Sequence, residues 1–359
     1  MQRDTEEAVE TPAVVVDEAI LDANIAQGAE FAARTGLNLR PHVKTHKSIE
    51  IARRQINAGA IGITVATLSE AEVFAEAGFT DIFVAYPLWL DETKVDGLRH
   101  VLELSSVMLG VDSVDGATQI AEAGLVAAGQ LSMLVEVDSG HHRSGVQPKD
   151  AGVLAESVRD AGLGVAGVFT FPGHSYSPEA RESAARDEGE ALSIAAGSLS
   201  DHGIQPRIVS GGSTPSLEFS SSSVLTEVRP GVYVFGDAQQ WELGTISSET
   251  IALTVLATVV SRSPGRIILD SGSKVLGADR APYSTGFGRL LDYPHARITA
   301  LSEHHATVTG VDIPLGTRVR VVPNHVCATV NLADEYVVAS SDGRGEFATW
   351  PVDARGRNR

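Results

Sequence analysis

From about residue 36 to 236, short apolar and β-branched runs alternate with longer Ala- and Glu-rich stretches, the pattern of repeated βα units. Eight runs stand out: LNLRPHVK (37–44), AIGITVA (60–66), DIFVAYP (81–87), VMLGVD (107–112), LSMLVEVD (131–138), GVAGVFTF (164–171), RIVSGGS (207–213) and GVYVF (231–235). The segments between them carry helical spacing. In SEAEVFAEAG, Val73, Phe74 and Ala77 share one face, and Ser69 with Glu72 resembles a capping box. Eight strands with intervening helices predict an α/β fold, a closed (β/α)8 barrel of the TIM type; an open doubly wound sheet uses similar units and stays as the alternative.

After about residue 248 the pattern changes to IALTVLATVV, GRIILDSG, ATVTGVDI, TRVRVVPNHVCATVNL and EYVVAS, strands punctuated by Gly, Pro and Asp turns. This predicts a separate C-terminal β domain. The early run AVVVD (13–17) can join it, bringing the termini together, so the expected division is a barrel over 18–245 and a β domain over 1–17 and 246–359. The tail DARGRNR reads as disordered.

Charge and composition narrow the function. Lys and Arg number 28 against 46 Asp and Glu, a formal net charge of −18, which opposes nucleic acid or an anionic membrane as partner and fits a small-molecule substrate. The acidic start MQRDTEEAVETPAVVV is unlike a signal peptide, and no run approaches the ~20 apolar residues that span a bilayer. The single cysteine, Cys327, cannot form an intrachain disulfide, so the expected compartment is the cytoplasm.

Barrel chemistry is built at the carboxyl ends of the strands. Polar residues gather there: Arg40, His42, Lys44 and Thr45 on the first strand, Tyr86 on the third, Asp112 on the fourth, 138–143 on the fifth, His174 and Tyr176 on the sixth. The seventh ends in Ser210, Gly211, Gly212, Ser213 and Thr214, and the eighth follows Arg229-Pro230-Gly231 with Tyr233.

Lys44 lies in an apolar strand among His42, Thr45 and His46, where desolvation and neighbouring positive charge favour the free amine of a Schiff-base lysine. A barrel-mouth lysine paired with a carboxylate is the plainer alternative. The 210–214 run offers backbone N–H groups and hydroxyls for an anion, with Gly231 and Tyr233 able to complete the site; an ordinary loop is the more frequent explanation of such a turn. In VPNHVCATVNL, His325 and Cys327 are two apart, so on a strand both side chains share a face and suit an open zinc site. A buried cysteine beside a structural histidine is the alternative.

With these residues assembled, the sequence resembles the fold-type III pyridoxal-phosphate enzymes, whose barrel is of the alanine racemase type. Within them it is similar to the zinc-dependent D-serine dehydratases and the D-threonine aldolases. The resemblance runs from about Thr11 to Val338 and rests on TPAVVVD, LRPHVKTHKS, VEVDSGHHRSGV, FPGHSY, SGGSTPS, VRPGVYVFGD and VPNHVCATVNL together. It implies that Lys44 carries pyridoxal 5'-phosphate, that Arg143 bonds its phenolic oxygen, and that Gly211, Gly212, Ser213 and Tyr233 grip its phosphate. Ser210, Thr214 and Gly231 flank that grip, and His174 or Tyr176 orients the cofactor. His325 and Cys327 are then ligands of Zn2+, with Mn2+ or another divalent metal as alternatives, in a homodimer.

The implied activity is a lyase acting on β-hydroxy-D-amino acids. PHVKTHK, HHRSGV, GHSY, GSTPS and the His-x-Cys pair are dehydratase-like, whereas aldolases carry PHAKAHK and His-x-Asp. D-serine dehydration to pyruvate and ammonia is therefore favoured. D-threonine aldolase, giving glycine and an aldehyde, and D-threo-3-hydroxyaspartate dehydratase are alternatives; a racemase or a non-catalytic cofactor-binding protein is less favoured. The SEEHG segment usual in the family is here Ser302-Glu303-His304-His305-Ala306, which opens the choice to a larger substrate.

Overall fold

The computed structural model describes residues 9–125, 130–340 and 347–359; residues 1–8, part of the acidic N-terminal stretch, lie outside them. The chain divides into two compact units. One holds Gly28–Lys44, Ile51–Gly231 and Arg357–Arg359; the other holds Met1–Gln27, Thr45–Glu50 and Val232–Gly356.

The first strand, β1 (Ala13–Asp17), belongs to the second unit. The first unit is built on eight parallel strands: β2 (Asn38–Leu39), β3 (Ile63–Val65), β4 (Asp81–Pro87), β5 (Ser106–Val111), β6 (Leu131–Glu136), β7 (Val165–Phe169), β8 (Ile208–Gly211) and β9 (Glu227–Val228). Each pairs with its neighbour in sequence order, and β9 returns to β2 through Asn38↔Glu227 and Leu39↔Val228. The remaining seam, β2 to β3, is closed by the parallel bridge His42↔Thr64, with Thr64 N donating to Pro41 O at 2.8 Å and Ile61 N to Leu39 O at 3.0 Å. The (β/α)8 barrel expected from the repeats is therefore the architecture.

Its strands are nearly continuous in apolar residues because helices cover the outside and side chains fill the inside. Phe83, Met108, Leu134, Ala166 and Phe169 form one buried cluster, with Phe83 and Phe169 edge to face at 5.0 Å. Gly110 makes room for it: a Cβ there would stand 2.7 Å from the Phe169 ring.

Several local expectations are corrected. The first run contains only two strand residues, because Pro41 has no N–H to give the ladder; Lys44 sits in a 3-10 turn, Val43–Thr45. Residues 231–235 are not the eighth strand. That strand is β9, upstream, and Val232–Val234 after Pro230-Gly231 is a 3-10 turn. The helix Leu68–Glu76 is capped two residues earlier than expected: Thr67 Oγ1 accepts from Glu70 N at 3.1 Å, and Glu70 Oε2 accepts from Ala66 N at 2.7 Å.

The second unit is a mostly antiparallel sheet. With β10 (Leu253–Ser263), β11 (Arg266–Leu269), β12 (Gly288–Leu290), β13 (Arg297–Leu301), β14 (Ala306–Thr309), β15 (Arg318–Pro323), β16 (Glu335–Ala339) and β17 (Phe347–Pro351), its order is β13-β14-β11-β10-β1-β16-β17, while β15 pairs with both β10 and β12. β1 alternates half-buried and buried positions and lies between β10, antiparallel, and β16, parallel. The tail is ordered, against expectation: Asp353 Oδ2 accepts from Ile49 N at 2.8 Å and Ala354, fully buried, donates to Lys47 O at 3.0 Å. In the barrel unit, Ser69 N donates to Arg359 O at 2.8 Å. No helix among the described residues is long and apolar enough to cross a membrane.

Candidate active site

In the barrel unit, the ring of Phe171, just past β7, gathers the expected cofactor residues. Half-buried Lys44 places Nζ 6.0 Å from its centroid, and the Arg143 guanidinium lies over it at 5.3 Å. Tyr176 and His141 approach the same ring, with centroids at 6.2 and 5.6 Å. Sequence reasoning brought in Lys44, Arg143 and Tyr176, took in His141 only as part of the 138–143 span, and passed over Phe171. Their signal was position, directly after strand ends.

The turn that presents Arg143 is held by Asp138. Its Oδ1 accepts from the N–H groups of Gly140 and His142, both at 2.9 Å, and Oδ2 meets His142 Nδ1 at 2.7 Å. Burial raises the Asp138 carboxyl, but these donors outweigh it and the pKa is lowered. Behind the turn, Ser144 donates to Glu136 Oε1 at 2.8 Å; burial raises Glu136. Burial, Arg143 and His174 together lower His141. His174 Nε2 is 3.3 Å from Asp187 Oδ2, but neither ring nitrogen, although buried, makes a well-aligned hydrogen bond.

The glycine turn is largely occupied by the protein itself. Ser210 Oγ donates to Glu227 Oε1 at 2.7 Å and accepts from Arg229 Nε at 2.8 Å. Gly212 N donates to Glu188 Oε1 at 2.7 Å, Ser213 N donates to Ser216 Oγ at 3.1 Å, and Ser213 Oγ meets Ser175 Oγ at 2.9 Å. Thr214 Oγ1 is the exception, buried without a hydrogen-bond partner. Gly212 has φ +76°, and a Cβ there would fall 2.9 Å from the Val228 side chain, so only glycine fits. Gly211 is buried in β8, and half-buried Gly231 ends the long Ile51–Gly231 stretch of the barrel unit. An amine over an aromatic face, a guanidinium on that face and an orphaned hydroxyl in a glycine turn fit an anionic aromatic aldehyde such as pyridoxal phosphate.

In the β unit, the His325-x-Cys327 segment is not a strand. β15 stops at Pro323; His325 is the extended N-cap residue (φ −129°, ψ 106°), and Cys327 lies in the first turn of the helix Val326–Leu332. In the helical turn the two side chains interact: Cys327 is the largest influence raising the His325 pKa, burial opposing and Asp237 assisting. Thr45 Oγ1 lies 3.4 Å from Cys327 Sγ. An imidazole and a thiol half-open to solvent suit a soft divalent metal, with two protein ligands. Tyr233 belongs to this unit, in the Val232–Val234 turn. Residues 302–305 form the exposed turn of the β13–β14 hairpin, where Glu303 pairs with Lys274 at 2.8 Å.

The alanine racemase N-terminal domain matches residues 16–239, more than half of the chain. The chain belongs to the fold-type III pyridoxal-phosphate family. In this fold-type III chain a serine dehydratase domain matches residues 252–339. It is 36% identical to D-threo-3-hydroxyaspartate dehydratase of Delftia sp. (strain HT23), covering 97% of this chain and 98% of that protein. It is 37% identical to D-threonine aldolase of Arthrobacter sp, covering 98% and 94%. The structure of the Delftia sp. HT23 dehydratase matches with TM-score 0.87 and 35% identity over 96% of this chain and 97% of that one; a mutant of D-threo-3-hydroxyaspartate dehydratase has also been solved in a metal-free form. These relatives are lyases, and this fold-type III chain is an enzyme of that class.

Proposed function

We propose that the chain dehydrates a β-hydroxy-D-amino acid, with D-serine as the favoured substrate and pyruvate and ammonia as products, using pyridoxal phosphate and a divalent metal. The observation that carries this reading is the convergence of Lys44, Arg143 and Tyr176 on Phe171. When bound, the cofactor supplies an electron sink for the Cα–H bond and the metal a Lewis acid for the β-oxygen. Lys44 would hold the cofactor by its aldehyde carbon, and its amine, once displaced by the substrate's amino group, would be free to take the proton from Cα. Arg143 orients the phenolic oxygen, and the 211–214 turn, with the orphaned Thr214 hydroxyl, takes the phosphate. His325 and Cys327 would hold the metal, and a sulfur ligand makes zinc the first choice. The single cysteine and acidic balance support a cytoplasmic enzyme with no nucleic-acid or membrane partner, and we assign it as a homodimer by likeness to its fold type.

Cleavage of Cα–Cβ instead, an aldolase activity, is the second reading, favoured by the 37% identity to the Arthrobacter aldolase. Purified protein incubated with D-serine, D-threonine and D-threo-3-hydroxyaspartate, with and without chelator, separates the two. Keto acid with ammonia supports dehydration; glycine with an aldehyde transfers the assignment to the aldolase. Lys44→Ala should abolish the visible absorbance of bound cofactor. Chelation should stop turnover, leave that absorbance in place, and be reversed by zinc. Full turnover after exhaustive chelation removes the metal from the reading.

A further inference from the structure

We propose that Asp237 is a positioning residue for the His325–Cys327 pair: its buried carboxylate takes the Nδ1–H of His325 and so presents Nε2 as the donor to a divalent metal. This rests on the metal reading above. Asp237 follows the Val232–Val234 turn, sits in the same unit as the pair, and is fully buried.

Two backbone donors fix its orientation. Oδ1 accepts from Gln240 N at 2.8 Å, capping the helix Ala238–Glu242, and Oδ2 accepts from Val326 N at 3.2 Å. Val326 begins the helix that carries Cys327, and its N–H is one of the first-turn donors that have no acceptor within their own helix. One carboxylate therefore ties down the starts of two helices. Its Oδ2 lies 3.4 Å from His325 Nδ1, a longer and less aligned contact than the other two.

Capping alone would explain the first bond but not the rest. The second oxygen bridges the backbone on one side of His325 and its ring nitrogen, the placement that selects one imidazole tautomer. An acceptor at Nδ1 keeps the proton there, and leaves the lone pair on Nε2. Outer carboxylates of this kind orient a ligating histidine and raise its basicity, and their loss costs about 10- to 100-fold in metal affinity.

Asp237→Asn tests this, because Asn caps a helix about as well as Asp but carries no charge and turns one oxygen into a donor group. Zinc affinity of the pyridoxal-phosphate-loaded enzyme, measured by chelator competition, should weaken about 10- to 100-fold. The melting temperature should fall by only a few degrees, because one backbone N–H loses its acceptor, and the cofactor absorbance should hold. Zinc affinity equal to wild type in Asp237→Asn overturns the proposal. His325→Ala run alongside isolates the parent reading: if it too binds zinc like wild type, the pair is no metal site and both ideas fall. A measurement without mutation stands beside these. Nitrogen-15 histidine spectra of zinc-loaded wild type should show His325 coordinated through Nε2 with Nδ1 protonated, and coordination through Nδ1 overturns the assignment.

Discussion

Glu188 shows how far a single buried side chain can govern behaviour with pH. It is fully buried, gives one oxygen to Gly212 N and leaves Oε2 without a partner. Burial raises its pKa from 4.5 to about 7, while the Gly212 N–H and the Arg229 charge pull it down. Between these two values the folded chain keeps a proton that the unfolded chain has released. Stability therefore falls as pH rises through that window, by up to ~1.4 kcal/mol per pH unit, and levels off above it. Glu188→Gln keeps an acceptor for Gly212 and removes the slope. Urea unfolding at pH 5 and pH 8 should show the variant gaining on wild type at the higher pH; an equal difference at both would sink the account. Nothing in the sequence marked Glu188, which lies in the long helix Arg181–Asp201 among other acids. Lys44, Arg143 and the glycine turn stood out in the sequence because polar residues and glycines mark the carboxyl ends of barrel strands, and Phe171 shares that position, whereas the contacts of Asp237 are carried by no local pattern.

At the scale of elements, legibility followed periodicity. DIFVAYP is a strand over the residues expected, since its apolar run follows a glycine-containing turn and closes on Pro87, which has no N–H to extend the ladder. The 322–332 segment misled because Val and Thr favour strands. Its helical signal was nevertheless present: Val326, Thr329 and Val330 are the buried positions, spaced three and four apart. The capping box was misplaced for a related reason, for the pattern Thr67-x-x-Glu70 sits just before Ser69-x-x-Glu72 and uses the same residue types. Here Thr67 relieves the Glu70 N–H and Glu70 relieves Ala66 N. Thr67→Ala should cost about 1 kcal/mol in unfolding free energy, whereas Ser69→Ala, which removes a hydroxyl making only long contacts to Thr67 Oγ1 at 3.4 Å and Arg359 N at 3.3 Å, should cost less. Chemical denaturation of the two variants checks this, and the reverse ranking would return the cap to Ser69.

For the whole molecule, the eight-fold βα repeat declared the barrel because each repeat restates the pattern. The β unit was less legible, since it takes in the short stretch Thr45–Glu50 from within the first βα repeat. That short stretch begins directly after Lys44, and only tertiary contacts assign it. Tyr336 OH donates to His46 O, Asp353 accepts from Ile49 N, and Ala354 N donates to Lys47 O. The C-terminal residues, polar by composition, thus hold the backbone that follows Lys44. A chain ending at Val352 loses the second and third of these bonds and leaves Ile49 N, at the start of the helix Ile49–Asn57, without its acceptor. A melting temperature lowered by a few degrees is expected. Limited proteolysis should then cut faster within 45–50 than elsewhere, and bound cofactor should be lost more readily on dialysis. Truncated protein that melts, resists protease and keeps its cofactor like the full chain would make the tail a passive appendage after all.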